Sequence, residues 1–303
     1  MVAAHVWLSK LKKDTVTMKA ALIGENISGS LTPAMHQAEG KALGMDYQYL
    51  QFDTTGGEYA GKSLPDLIDL AEDQGFAGVN VTHPFKVQAV GLVTSLTETA
   101  RSLGTINTIV FKNGQRIGHN TDYIGFRSSM QRDLAQFSIE KVLLLGAGGA
   151  GASVALALID QGVRHLAVFD TDSDKTAALV DRLSRLRPTA MIDGRSGLDD
   201  QLLGSVKGVV NATPLGMAGH PGMAVDPTRL LSTTWIADIV YFPLKTPLLK
   251  HAKINGCPVV TGAGMALFQA VASFELFTGK KPDVERMRQF LDSALVSKEP
   301  VNG

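Results

Sequence analysis

Two stretches of this chain combine residue types and spacing that could do chemistry. One is a short apolar strand that ends in polar side chains and a lysine, Asn80-Val81-Thr82-His83-Pro84-Phe85-Lys86. Strand alternation puts Asn80 and Thr82 on one face while Val79 and Val81 turn to a core, and Pro84 favours an extended His83. The carboxyl end of a strand in an open sheet is where α/β proteins bind ligands. The other stretch is Leu143-Leu144-Leu145-Gly146-Ala147-Gly148-Gly149-Ala150-Gly151, a complete G-x-G-x-x-G between an apolar strand and an Ala-rich helix. Gly146 permits a tight turn, Gly148 lets the backbone approach a pyrophosphate, and Gly151 lets helix and strand pack closely. The phosphates would lie at a helix N-terminus, where free N–H groups and the helix dipole favour negative charge, with Ala147, Gly149 and Ala150 completing the cradle.

A helix pattern over Ala152 to Gln161 and a strand Leu166-Ala167-Val168-Phe169 follow, ending at Asp170. That position is near the ~20-residue spacing of a ribose-binding acid. A carboxylate there accepts both adenosine ribose hydroxyls of NAD and repels the 2′-phosphate of NADP, so NAD is the expected cofactor. Asp172 is a competing acid, and Arg164 and Lys175 are the cations that could instead reach a phosphate.

These residues need elements to hold them. From residue 20 to about 120, β-like runs (Ala20 to Ile23, Tyr47 to Phe52, Gly78 to Thr82, Thr108 to Phe111) alternate with helical patterns (Pro33 to Leu43, Leu64 to Gln74). Asn113-Gly114 signals a tight hairpin that returns the chain through Arg116 to Gly118 and brings Asn107 and Asp122 together. A helical pattern from Tyr123 to Leu134 leads to the glycine run, and later strands read at Gly208 to Asn211, Trp235 to Asp238 and Pro258 to Val260. Gly264 to Phe277 and Pro282 to Leu295 read as helices. The expected fold is α/β with two domains and a cleft between them. An N-terminal α/β substrate-binding and catalytic domain spans 18–125 and is completed by C-terminal helices 264–296. A Rossmann-type, doubly wound parallel sheet spans 126–263 and binds NAD.

With 303 residues and 45% hydrophobic content the chain can build two cores. Formal net charge is zero and the basic run Lys10-Leu11-Lys12-Lys13 stands alone, so no nucleic-acid or membrane footprint is expected; the partner is a small molecule. One cysteine, Cys257, excludes an intrachain disulfide and a Cys-based metal cluster, and fits a reducing cytoplasm. The histidines show no zinc-like spacing, so no metal is expected. No signal peptide or membrane span is read, and the residues before Met18 are taken as an extension without assigned function. A monomer and a homodimer are both left open.

Ser28-Gly29-Ser30-Leu31-Thr32-Pro33, Gly104-Thr105-Ile106-Asn107-Thr108 and Gly118-His119-Asn120-Thr121-Asp122 add to the two stretches above. In order, these motifs resemble the shikimate/quinate dehydrogenase family over roughly residues 18–295. The resemblance implies a polyhydroxylated cyclohexane carboxylate as substrate. It implies that Ser30, Thr32 and Tyr241 bind its carboxylate, that Asn80, Thr82, Asn107 and Gln269 satisfy ring hydroxyls, and that Lys86 and Asp122 are the catalytic pair and also touch the substrate. Asn211-Ala212-Thr213, Ile239, and the turn Gly262-Ala263-Gly264-Met265 would line the cofactor, with Gly262 and Met265 on the nicotinamide side. Hydroxyl and amide groups suit an alcohol-rich ring, since an analogue lacking a hydroxyl leaves them unpaired. Oxidising an alcohol needs a hydride acceptor and a proton acceptor at one carbon centre. A lysine is ordinarily an ammonium at neutral pH, so Lys86 would act in concert with Asp122.

NADP-dependent members carry an Asn-Arg-Thr-type phosphate clamp where this chain has Asp170-Thr171-Asp172. They also carry Ser-x-Ser where it has Ser30-Leu31-Thr32, and an apolar residue at His83. The first difference favours NAD, the other two resemble the NAD-dependent quinate/shikimate subgroup, and the methyl of Thr32 is expected to reshape the floor under C1. The resulting expectation is NAD-linked oxidation at the C3 hydroxyl of quinate or shikimate to 3-dehydroquinate or 3-dehydroshikimate. The alternatives are an NADP-dependent biosynthetic shikimate dehydrogenase, an aminoshikimate/aminoquinate dehydrogenase, and a non-catalytic NAD-binding regulator. His83 and His119 are read as structural donors.

Overall fold

The computed structural model describes residues 17–298. The stretch read as an N-terminal extension lies outside the described residues except for Thr17, whose hydroxyl donates to Asp46 at 2.5 Å.

The first sheet has strand order β2-β1-β3-β5-β6-β4. Its parallel part is β1 (Met18–Gly24) between β2 (Tyr47–Asp53) and β3 (Gly78–Val81). β5 (Thr108–Lys112) pairs antiparallel with β3 and with β6 (Gln115–His119), and β4 (Ser95–Leu96) closes the far edge. The turn between β5 and β6 is Asn113-Gly114, and both residues have positive φ (53° and 71°), as a type I′ hairpin requires. Helices α1 (Thr32–Ala42), α2 (Leu64–Asp73) and α3 (Glu98–Leu103) accompany the sheet. The apolar residues of α2, Leu64, Leu67, Ile68 and Ala71, fall at one-face spacing and bury against Ile23, Val79, Val81 and Ile109.

The chain then runs through α4 (Thr121–Asp133) into a second sheet of β7 (Lys141–Leu145), β8 (His165–Phe169), β9 (Met191–Gly194), β10 (Gly208–Asn211), β11 (Trp235–Asp238) and β12 (Val259–Val260). All its pairings are parallel, in the order β12-β11-β10-β7-β8-β9. The order reverses between β7 and β10, which is the switch point at which such sheets leave a crevice for a ligand. α5 (Gly149–Asp160), α6 (Ser173–Leu186), α7 (Asp200–Ser205) and α8 (Pro247–Ile254) are the crossovers. α5 is apolar nearly all round and correspondingly buried, from Gly151 through Ile159.

α9 (Ala263–Thr278) returns to the first half and crosses α4 closely. A Cβ added at Gly125 would sit 2.6 Å from the Met265 carbonyl, and one at Gly264 2.2 Å from Ser129 Oγ, so both helices need glycine at the crossing. α10 (Val284–Lys298) packs with α9 on α1, burying Met287, Leu291 and Leu295 against Leu31, Met35 and Leu267. Buried Glu39 fixes that contact by accepting from Arg286 Nε (2.7 Å), Arg286 Nη2 (2.6 Å) and Asp283 N (2.8 Å).

Two local readings change. Thr82, read as the end of the strand, lies beyond β3 with His83 in a turn, and the His83–Pro84 peptide bond is cis. α5 begins at Gly149, within the glycine run, three residues before the expected Ala152.

Candidate active site

The turn after β3 is closed by Phe85 N–H on the Thr82 carbonyl at 2.9 Å and delivers Lys86 to Asp122. Lys86 Nζ donates to Asp122 Oδ2 at 2.5 Å, with the two side chains 19% and 8% exposed. Asp122 stands in the first turn of α4, where Asn120 caps the helix by accepting from Tyr123 N at 3.0 Å. The other carboxylate oxygen of Asp122 accepts from Asn107 Nδ2 at 2.9 Å. The Asn107 amide is locked in that sense because its oxygen accepts from Thr121 N (2.7 Å) and the Thr121 hydroxyl (3.1 Å). A lysine–carboxylate pair of this kind, with an amide donor beside it, can take up the proton of an alcohol or return it.

Ser30, Thr32, Tyr241 and Gln269 are brought together from distant parts of the chain. The Tyr241 hydroxyl meets the Ser30 side chain, Ser30 Oγ accepts from Thr32 N at 3.3 Å, and Gln269 Nε2 donates to Thr32 Oγ1 at 3.5 Å. Burial raises the Tyr241 phenol, against the pull of its Ser30 bond, so it stays a neutral donor. The loop that carries Tyr241 hangs on Asp238, which accepts from Val240 N (3.0 Å), Asn211 Nδ2 (2.9 Å) and Thr246 Oγ1 (2.7 Å). Burial pushes the Asp238 carboxyl up to about 6 in spite of those bonds.

Besides Asn107, which is 3% exposed and bonded as above with one Nδ2 hydrogen left over, two residues expected to touch ligands have their side chains engaged inside the protein. Asn80, 3% exposed, accepts from the Tyr49 hydroxyl (2.6 Å) and donates to Thr108 Oγ1 (2.8 Å) and the Asn107 carbonyl (3.2 Å). Asn211, fully buried, donates to Asp238 and Leu215 and accepts from Thr213 N and Oγ1. Both hold a neighbouring loop in place. Thr82, by contrast, is half-buried, and Gly24 makes room for it: a Cβ there would come within 2.4 Å of Thr82 Cγ2.

The glycines of the second stretch divide the work as their spacing suggests. Gly146 has φ +101°, and a Cβ on Gly151 would lie 2.1 Å from the Gly146 carbonyl oxygen. A Cβ on Gly148 would meet no protein atom within 4 Å, and the N-terminus of α5 has no side-chain cap. Open space above uncapped N–H groups is what a pyrophosphate needs, so these residues fit a dinucleotide. Asp170 accepts from Ala147 N at one oxygen (2.7 Å) and from Asp172 N (2.9 Å) and the Thr171 hydroxyl (3.5 Å) at the other, which leaves the first oxygen a second lone pair for a ribose hydroxyl. Asp172 itself caps α6 by accepting from Asp174 N and Lys175 N, and Lys175 Nζ lies 3.4 Å from it. Arg164 precedes the amino end of β8, the far end from Asp170. Ala212, Ile239 and Met265 cluster with Ala147 beside the crevice, and Gly262 passes so near the end of β11 that a Cβ would lie 2.3 Å from the Ile239 carbonyl oxygen.

Sequence reasoning passed over Asn120 and Thr105. Asn120 donates to the Thr105 carbonyl (3.1 Å) and accepts from Ser153 Oγ of α5 (3.1 Å), tying the catalytic end of α4 to the nucleotide helix. The cap signal was present: an asparagine just ahead of an acid-bearing helix start. His119 is half-buried, which lowers its affinity for a proton, and His83 is exposed in its turn.

Comparison with known proteins agrees with this geometry. Residues 22–109 match the family model described as the shikimate dehydrogenase substrate binding domain, and residues 262–289 match the shikimate 5′-dehydrogenase C-terminal domain. The chain is 43% identical over 272 residues to a quinate/shikimate dehydrogenase (NAD(+)) of Corynebacterium glutamicum strain R, covering 88% of this chain and 95% of the relative. It is 40% identical over 282 residues to a shikimate dehydrogenase (NADP(+)) of Arthrobacter sp. strain FB24, covering 92% and 96%. The fold superposes on quinate dehydrogenase from Corynebacterium glutamicum in complex with NAD with a TM-score of 0.86 at 41% identity, covering 91% of this chain and 99% of that one. With that similarity spanning both sheets and the cleft between them, the chain belongs to the shikimate/quinate dehydrogenase family.

Proposed function

We propose that this protein is an NAD-dependent quinate/shikimate dehydrogenase that oxidises the C3 hydroxyl of its substrate to 3-dehydroquinate or 3-dehydroshikimate, reversibly. The carrying observation is that the proton-handling pair and the glycine loop share one cleft. A Cβ on Gly149 would lie 3.8 Å from Lys86 Cβ and Cδ and 3.6 Å from Thr105 Cγ2. Bound NAD supplies the hydride acceptor. Ser30, Thr32 and Tyr241 bind the substrate carboxylate, while Thr82, Asn107 and Gln269 pair with ring hydroxyls and so fix which carbon faces the cofactor. Lys86 and Asp122 take the alcohol proton as one unit. Residues 18–125 with 264–296 form the substrate domain, and 126–263 the nucleotide domain.

The cofactor assignment rests on the acid, since NAD- and NADP-named relatives are almost equally similar to this chain. Asp170, with Asp172 occupied at the α6 cap, presents negative charge where an NADP phosphate would lie. Steady-state oxidation of quinate and shikimate, each with NAD and with NADP, tests the assignment. NAD-linked turnover of either acid is expected, and turnover with NADP alone would overturn it.

A further inference from the structure

The hydroxyls of Ser30 and Thr32 sit at the end of a loop that leaves β1 at Gly24, and the atoms holding that loop come from the end of β2. Asp53 Oδ2 accepts from Ile27 N at 2.9 Å. Asp53 Oδ1 accepts from Asn26 N (3.1 Å), Thr55 N (3.0 Å) and Thr55 Oγ1 (2.6 Å). Gln51, also on β2, donates to the Ile27 carbonyl at 2.8 Å. Asn26 is a non-glycine residue at φ +54°, a conformation that L side chains adopt only with support, and its N–H is one of the groups Asp53 accepts. From Ile27 the loop closes through Ser30 N on the Ile27 carbonyl (2.9 Å) and runs straight into α1.

We infer that Asp53 is a positioning residue for substrate recognition: it fixes the backbone at Asn26 and Ile27 and thereby sets the Ser30 and Thr32 hydroxyls for the substrate carboxylate. This rests on the proposal that those hydroxyls bind that carboxylate. Partial burial works against the charge of Asp53, but the Thr55, Ile27 and Asn26 donors outweigh it and hold the carboxyl below its usual range, so it is an acceptor at both oxygens throughout the neutral range. An amide cannot replace it. Asparagine would keep its oxygen toward the three donors at Oδ1 and turn its NH₂ on the Ile27 N–H, releasing the loop three residues before Ser30.

The test compares the parent, Asp53→Asn, Thr55→Ala, Ser30→Ala and the Asp53→Asn/Ser30→Ala double variant, with shikimate and its methyl ester, at saturating NAD. Asp53→Asn is expected to raise the KM for shikimate roughly tenfold, the scale of losing a hydrogen bond to a charged acceptor, with KM for NAD unchanged. The rise should be much smaller for the ester, and Asp53→Asn should add less once Ser30 is alanine and Thr32 alone remains to be positioned. Thr55→Ala removes an Asp53 donor together with the contacts of Thr55 Oγ1 to Asn26 N (3.2 Å) and Asn26 Oδ1 (3.4 Å) but leaves Asp53 on the Asn26 and Ile27 amides, and should raise the KM for shikimate less than Asp53→Asn does. An equal rise for acid and ester, or additive effects of Asp53→Asn and Ser30→Ala, would overturn the inference in favour of a general loss of packing. The underlying reading fails separately: Ser30→Ala alone would then leave KM for shikimate unchanged.

Discussion

At the scale of single residues, the partner of each polar side chain decides what that side chain can do. A lysine at the end of a strand is most often a solvated surface group; Lys86 is instead three-quarters or more buried against Asp122. Asp170 is held by the Ala147 and Asp172 amides with acceptor capacity left over. Asp170→Asn keeps an oxygen for Ala147 N but removes the charge and turns its NH₂ on the Asp172 N–H, so the preference for NAD over NADP, as a ratio of kcat/KM, should fall by at least about tenfold. An unchanged ratio would show that Asp170 does not face the adenosine ribose. The sequence identified these positions by motif and spacing, yet it could not show that Asn80 and Asn211 would be occupied from within. Their partners, Tyr49 and Asp238, lie on other strands, and pairing across a sheet leaves no local mark in the chain.

At the scale of elements, buried titratable groups link helix packing to pH. His36 on α1 lies among Tyr47, Tyr49, Phe274 and Phe277, with its ring nitrogens on the Tyr47 and Ser273 hydroxyls. Burial lowers its pKa to about 3, from 6.5. The folded state therefore prefers neutral His36, a contribution complete above about pH 6.5 and lost as pH falls toward 3, on the order of a few kcal/mol over that window. Asp238 runs the other way: raised to about 6, it favours the folded state at low pH and loses that contribution as pH rises from about 4 through 6. Urea midpoints at pH 7.5 and 4.5 should show a smaller acid loss in His36→Gln than in the parent, and a larger one in Asp238→Asn. The same slope in parent and His36→Gln would contradict the burial argument. Most strands and helices here were legible, because apolar alternation, the Asn113-Gly114 turn and the glycine run are local signals. β9 was not: its residues Met191–Gly194 are half-buried to exposed at a sheet edge and carry no apolar run. α5 was shortened in the reading because glycines lower helix propensity, whereas the close approach of Gly151 to Gly146 requires them.

At the scale of the whole molecule, specific hydrogen bonds connect the two sides of the cleft, Tyr123 Oη to Asp160 at 2.8 Å among them. Ser153 of α5 donates to Asn120 at the head of α4, and Arg182 of α6 donates to the Leu103 carbonyl at the end of α3. Ser153→Ala removes a cross-cleft bond without orphaning Asn120, whose oxygen still accepts from Tyr123 N. It should lower kcat/KM roughly two- to tenfold, with little change in melting temperature. A large loss of stability with unchanged turnover would show that the bond serves packing alone. The most direct measurement is a single turnover with saturating NAD and quinate or shikimate, followed by nicotinamide absorbance, in the parent and in Lys86→Ala. The variant is expected still to bind NAD but to form reduced cofactor about 10² to 10⁴ times more slowly. Reduced cofactor appearing at the parental rate would contradict the assignment of Lys86 and Asp122 as the acid/base pair.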